Sequence, residues 1–169
     1  VYSEDGKIIG SFFIQNRTYV QYGDLFPSDS TALISFDGKK LPPLAAALVA
    51  TEDARFYSHS GIDIPSIYRV AIKTIMLRMR HSGGGSTITQ HLFPRNGGEG
   101  LNKFERKVKL VFTKLKEWIT AIKLEYNYTK EEIIAMYLNT VEYGSNAFGI
   151  QSASHTFFGK KPSELNIQE

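Results

Sequence analysis

A chain of 169 residues is long enough for one domain with a sizeable core and too short for two ordinary ones. Apolar residues make up 42% and charged residues 22%, without repeats or low-complexity runs, which excludes a disordered or fibrous chain. The 20 Lys and Arg against 17 Asp and Glu leave only +3, so overall charge identifies no partner, and the lack of cysteine excludes disulfide staples, thiolate chemistry and Cys-type zinc sites.

The first 25 residues alternate and carry turn signals, Asp5-Gly6 followed by Ile8, Ile9, Phe12, Phe13 and Ile14 and then Arg17 to Tyr22, which predicts a short β-hairpin or meander. From Leu41 the period becomes helical. Pro42-Pro43 leads into a helix expected over Leu44 to Phe56, with Leu44, Leu48, Val49 and Phe56 on its apolar face. A second helix is expected after Asp63, with Pro65 in its first turn, running through Ile67, Val70, Ala71, Ile75 and Met79 to Gly83-Gly84-Gly85. Its other face carries Arg69, Lys73, Arg78 and Arg80, a pattern that fits a membrane-surface helix or a plain solvated one.

Residues 82–100 hold six glycines and Pro94 and read as a long functional or mobile loop. The longest helix follows, from about Glu105 to Tyr126, with a stripe of Val108, Val111, Phe112, Leu115, Trp118, Ile119 and Ile122. Thr129 and Glu132 form a capping box that opens the next helix through Ile133, Ile134, Tyr137 and Leu138. One more helix is expected near Ala147 to Phe158. No apolar run reaches the roughly 20 residues of a membrane span, and no leader opens the chain. A start at Val1 and an end at Glu169, just inside a helix opened by Pro162 and Ser163, make the chain read as an excised segment.

Two carboxylates stand in unusual places. At about 100° per residue Glu52 falls inside the apolar arc of its helix, where a charge needs a partner or a raised pKa, and either suits general acid/base chemistry. The competing reading ends the helix before Glu52 and leaves a solvated carboxylate beside Arg55. Asp53, Phe56, His59 and Gly61 crowd further polar and turn residues into the same segment. Glu117 lies about 150° from the centre of the long helix's apolar stripe, an ordinarily solvent-facing place, yet Leu110, Ala121 and Leu124 share that side, so a cleft-lining position and an exposed one both fit. Lys103, Arg106, Lys107, Lys109, Lys114 and Lys116 surround it with positive charge suited to a phosphate or pyrophosphate, opposed only by Glu105. Neither aromatic interleaving nor a nucleic-acid module accompanies that charge. The stretch from Gly83 to Gln90 offers hydroxyls and backbone N–H groups to sugar and phosphate oxygens but lacks the Lys of a P-loop.

In this order, ATEDARFYSHSGID, GGGSTITQ, KLKEW with AIKLE, and YTKEEIIAMYLNTVEYG with AFGI closely resemble the peptidoglycan glycosyltransferase family, which includes class A penicillin-binding proteins and monofunctional transglycosylases. The likeness covers nearly all of the chain, including the VYSEDGKIIGSF and NRTYV opening, which is similar to the family's segment after its membrane anchor. It implies a mainly α, lysozyme-like helical domain over residues 1–169, with a short β segment in about the first 25. Its cleft would bind lipid II, the lipid-linked disaccharide peptide precursor, and the growing glycan strand at the outer, periplasmic face of the cytoplasmic membrane.

By the same resemblance Glu52 is the general base and Glu117 the second catalytic carboxylate, acting near the donor pyrophosphate through a divalent cation, Mg²⁺ or Mn²⁺, or through Lys114 and Lys116. Ser86, Thr89 and Gln90 resemble sugar and pyrophosphate contacts; Asp53, Phe56 and His59 complete the substrate-binding set. A fused transpeptidase domain is a further implied partner; nucleic acid is not. Two departures stand out. The family's Lys or Arg followed by Asn beyond STITQ is replaced by His91 to Arg95, as if about five residues were absent, and Thr113 stands where many members have Arg. The rival readings are a lysozyme-like hydrolase or lytic transglycosylase, and a noncatalytic module that binds membranes or anionic polymers.

Overall fold

The computed structural model describes residues 16–76, 85–93 and 102–169. Within them lie a strand β1 (Asn16–Arg17), a hairpin of β2 (Ile34–Phe36) and β3 (Lys39–Leu41), helices α1 (Pro43–Glu52), α2 (Ile64–Met76), α3 (Ile88–His91), α4 (Lys103–Asn127) and α5 (Lys130–Thr140), a strand β4 (Ala147–Phe148) and a helix α6 (Ile150–Phe158). The architecture is mainly α, as the resemblance implies.

The helices begin and end where their chemistry dictates. Pro43 occupies the first turn of α1, where a missing N–H costs nothing. Both halves of the Thr129/Glu132 capping box form at α5, with Glu132 N–H donating to Thr129 Oγ1 at 3.2 Å and Thr129 N–H to Glu132 Oε2 at 2.8 Å. The core gathers Leu25, Val49, Phe56, Ile88, Ile133 and Ile134, all nearly or fully buried, so α1, α3 and α5 meet at the centre. Asn139 ties the N-terminal segment to α5: Val20 N–H donates to Oδ1 at 2.9 Å, and Nδ2 donates to Val20 O at 2.7 Å.

Three expectations change. Residues 1–15 of the predicted N-terminal hairpin lie outside the described residues; Asn16–Arg17 pairs in parallel with Ala147–Phe148 instead, and Tyr22–Leu25 is a 3-10 turn. The antiparallel hairpin belongs to β2 and β3, where Asp37 and Gly38 both take positive φ and supply the tight turn. The first helix stops at Glu52, four residues early. Met79, the basic residues Arg78 and Arg80, Gly83, Gly84 and Arg95 fall outside the described residues, and the predicted long loop contains α3.

The third change concerns α4, whose apolar stripe faces outward. Val111 and Phe112 are each 61% exposed, and Val108, Leu115, Ile119 and Ile122 are exposed too, whereas Ala121 and Glu117, on the opposite side, are buried. That opposite side packs against α3 and α5.

Candidate active site

Glu52 ends α1 because the next residue leaves the helix: Asp53 adopts φ −155° and ψ 73° while its N–H still bonds Val49 O. The departure turns Asp53 inward and Glu52 outward. Asp53 is buried, with Ile88 N–H donating to Oδ2 at 3.2 Å and His59 Nε2 at 3.0 Å from the same oxygen. Gly61 N–H donates to His59 Nδ1 at 3.2 Å, so that nitrogen is the acceptor and the ring's proton sits on Nε2, donated to Asp53. Glu52 is 42% exposed, with His91 Nε2 at 4.0 Å from its carboxylate. The Tyr137 ring packs edge-on against His91, and its phenol is pushed up by burial and then by the Glu52 charge, so it stays protonated beside that carboxylate.

Gly61 carries the chain across α4. Its φ is +92°, and a Cβ there would lie 2.8 Å from the carbonyl carbon and oxygen of Ala121, so only glycine allows this approach. Its own carbonyl accepts from Thr87 Oγ1 at 2.8 Å and Gln90 Nε2 at 3.1 Å. Thr87 also caps α3, its hydroxyl accepting from Gln90 N–H. Thr89 donates to Glu125 Oε1 at 2.6 Å, and Lys130 pairs with Glu125 at 2.7 Å while donating to His59 O at 2.7 Å. The short α3 is thus held to the segment after Glu52 and to both long helices.

The two ends of α3 meet the two carboxylates. His91 at its C-terminal end faces Glu52. At the other end Ser86 Oγ accepts from Lys114 Nζ at 2.8 Å, and Lys114 Nζ lies 2.6 Å from Glu117 Oε2. The two groups thus stand at opposite ends of one short element, whose four helical residues rise about 6 Å. Glu117 is 2% exposed, and a buried carboxylate is tolerable because Lys114 pairs with it. Lys114 is itself 42% exposed, so an ammonium with three donors, held by Ser86 and paired with Glu117, remains open to an incoming anion.

The structure sorts the candidate residues unevenly. Glu52 is corrected from a buried position on the apolar face to an exposed one at a helix end, the physical reason being the turn of Asp53. Glu117 takes the enclosed position of its two alternatives. Ser86, Lys114 and Glu117 come together; Lys116 is exposed and projects about 200° around the helix from Lys114, on the side of the outward apolar stripe. Phe56 and Gln90 are buried, as are Thr89 and Asp53, and the His59 ring is nearly so; these five form the support beneath the site rather than its open surface. Sequence reasoning passed over His91, Tyr137, Glu125 and Lys130. For the last two the available signal was opposite charge on either side of a helix junction.

Mg²⁺ or Mn²⁺ finds no ready cage. Among the described residues no three His, Asp or Glu side chains converge, and the one carboxylate in question, Glu117, is already held by Lys114. These donors do not fit a resident divalent ion.

A family model described as Transglycosylase matches residues 5–169. Penicillin-binding protein 1F of Bacillus subtilis is 33% identical over 169 residues, covering 100% of this chain and 20% of the relative. Penicillin-binding protein 1A of Aquifex aeolicus is 36% identical over 170 residues, with 100% and 20% covered, and penicillin-binding protein 1A of Escherichia coli 34% over 170, with 100% and 17%. The chain spans about a fifth of the length of these relatives.

Proposed function

The chain belongs to the transglycosylase family, and on that premise we propose that it polymerises lipid II into β-1,4-linked glycan strands, acting as the glycosyltransferase part of a larger penicillin-binding protein. Glu52 is the general base. An open carboxylate at a helix end can reach the acceptor sugar's 4-hydroxyl, take its proton and free the oxygen to attack the donor's anomeric carbon. Attack from the face opposite the α-linked pyrophosphate inverts the centre and releases the polyprenyl pyrophosphate.

The observation that carries this reading is the pair of carboxylate environments at the two ends of α3. A base must be open to solvent and substrate, and the exposed Glu52 is; a leaving pyrophosphate needs fixed positive charge, and the half-exposed Lys114, oriented by Glu117 and Ser86, supplies it. Preorganised charge at a leaving group is worth a factor of about 10² to 10³ in rate per well-placed group. We propose that a divalent cation, where one takes part, arrives on the pyrophosphate and not on the free chain, since Mg²⁺ commonly binds through substrate phosphates with few protein ligands.

The outward row on α4 supports a membrane surface as partner. Val108, Phe112, Leu115, Ile119 and Ile122 fall within an arc of about 80°, with Lys109, Lys116 and Lys123 along one edge, an apolar face with a basic border that suits anionic lipid. Among the described residues no helix is long and apolar enough to cross a membrane. On this reading the reaction runs at the outer face of the cytoplasmic membrane, where a lipid-linked substrate lies, with a fused transpeptidase domain as a further partner in the same protein.

The rival hydrolase acts on finished peptidoglycan. Incubating the chain separately with lipid II and with purified peptidoglycan decides between them: polymer from the first and no soluble fragments from the second is expected, and fragments without polymer would overturn the proposal.

A further inference from the structure

A cavity of about 510 Å³ lies between residues 19–23 and the start of α5. The α5 positions that line it, Glu131, Glu132, Ala135 and Met136, sit roughly opposite Tyr137 around the helix, so the cavity faces away from Glu52. Among the described residues that line it there is no Lys, Arg or His, although the chain as a whole is positive. Its charge comes from two carboxylates. Glu132 has a local task, accepting the Thr129 N–H in the capping box, whereas Glu131, half-buried, has neither an ion pair nor a hydrogen bond among the described residues.

Three tyrosine rings share the cavity with Glu131. Tyr19 is 69% exposed and Tyr128 46%, so both can open onto a ligand, while Tyr22 is braced by the Phe26 ring at 5.6 Å. The Tyr22 phenol is pushed up by burial and then by the Glu131 charge. The walls are fixed before any ligand arrives: Asn139 clamps Val20 in both directions, and Gln21 N–H donates to Asp24 Oδ2 at 2.9 Å.

We propose that this cavity binds a lysine-type ammonium group carried on a peptide, the charge against Glu131 and the methylene stem against Tyr19, Tyr22 and Tyr128. Aromatic rings around a carboxylate recognise such a cation through the ring faces and the ion pair together. A sugar could stack on the same rings, but its hydroxyls would leave the Glu131 charge uncompensated. An acid in a first helical turn also complements the helix dipole; that task accounts for charge at the helix start and not for three rings around it.

The test uses the chain alone, without lipid precursor, so its outcome is separate from that of the polymerisation reading. Nα-acetyl-lysine amide is titrated while the Tyr19, Tyr22 and Tyr128 ring signals are followed by NMR, with the Nε-acetylated form and diacetylchitobiose as comparison arms. Saturable shifts from the free amine alone are expected, and Glu131→Gln should weaken the response about tenfold, with Tyr19→Ala weakening it as well and both variants keeping the parent's melting temperature. No saturable response to the free amine, an equal response to its acetylated form, a preference for the sugar, or unchanged affinity in folded Glu131→Gln would overturn the proposal.

Discussion

His59 Nε2 stands 3.0 Å from Asp53 Oδ2, joining the residue that follows Glu52 to the far end of the same loop. Asp53 also accepts the Ile88 N–H, so one buried carboxylate fixes both the end of α1 and the start of α3. Glu52 has few restraints of its own. Its position follows from the residue next to it.

Replacing Asp53 by Ala therefore removes the acceptor for two buried donors. A loss of about 1–3 kcal/mol per orphaned group is expected, read as a lower denaturation midpoint with unchanged slope. A stability equal to the parent's would show that the Asp53–His59 contact does not hold the loop.

Gly61→Ala combines a left-handed φ with a Cβ 2.8 Å from the Ala121 backbone. Backbone strain and overpacking together should cost at least about 2 kcal/mol, and thermal unfolding measures it directly. Gly144, also at positive φ but with open space around it, should cost less when changed to Ala.

Asp63 caps the start of α2, accepting from the Ser66 N–H and hydroxyl, with Arg55 at 3.6 Å. Burial pushes its carboxyl up, but the Ser66 hydrogen bonds and the neighbouring Arg55 charge outweigh that and hold it below the usual 3.8. A depressed folded-state pKa gives stability that is present above the unfolded value and lost as pH falls through the folded one. Asp63→Ala should thus cost about 0.5–2 kcal/mol at pH 7, and the gap from the parent should narrow below about pH 4. Unfolding curves at pH 7 and pH 3 test this; a gap that stays constant would contradict it.

Lys114 and Lys116 should separate cleanly. Lys114→Met should lower polymerisation by a factor of about 10² or more, with partial recovery in Lys114→Arg, because the charge at the leaving group is what matters. Lys116→Ala should leave turnover with detergent-dispersed precursor near the parent's and weaken sedimentation with anionic vesicles. Equal effects of the two on turnover would argue against the assignment of Lys114.

Much of this was legible in the sequence, for identifiable reasons. Helix starts came through because Pro43 and the Thr129/Glu132 box act locally. The orientation of α4 did not, since its stripe is the strongest periodic signal in the chain yet points outward, and only tertiary contacts from α3 and α5 reveal that Glu117 lies inside. The end of α1 was missed for a related reason. Asp53 leaves the helix for partners at residues 59 and 88, which no local pattern announces. The Asp5-Gly6 turn lies outside the described residues, while the same dipeptide at Asp37-Gly38 makes the turn that β2 and β3 use.

The most direct measurement is strand synthesis from purified lipid II by the chain and by Glu52→Gln, with circular dichroism confirming equal folding and a parallel assay of precursor binding. Polymer from the parent, none from the variant and retained precursor binding in both is the predicted result. Polymer from Glu52→Gln at the parent's rate would contradict the account, because it would remove the base from the carboxylate on which the proposed reaction depends.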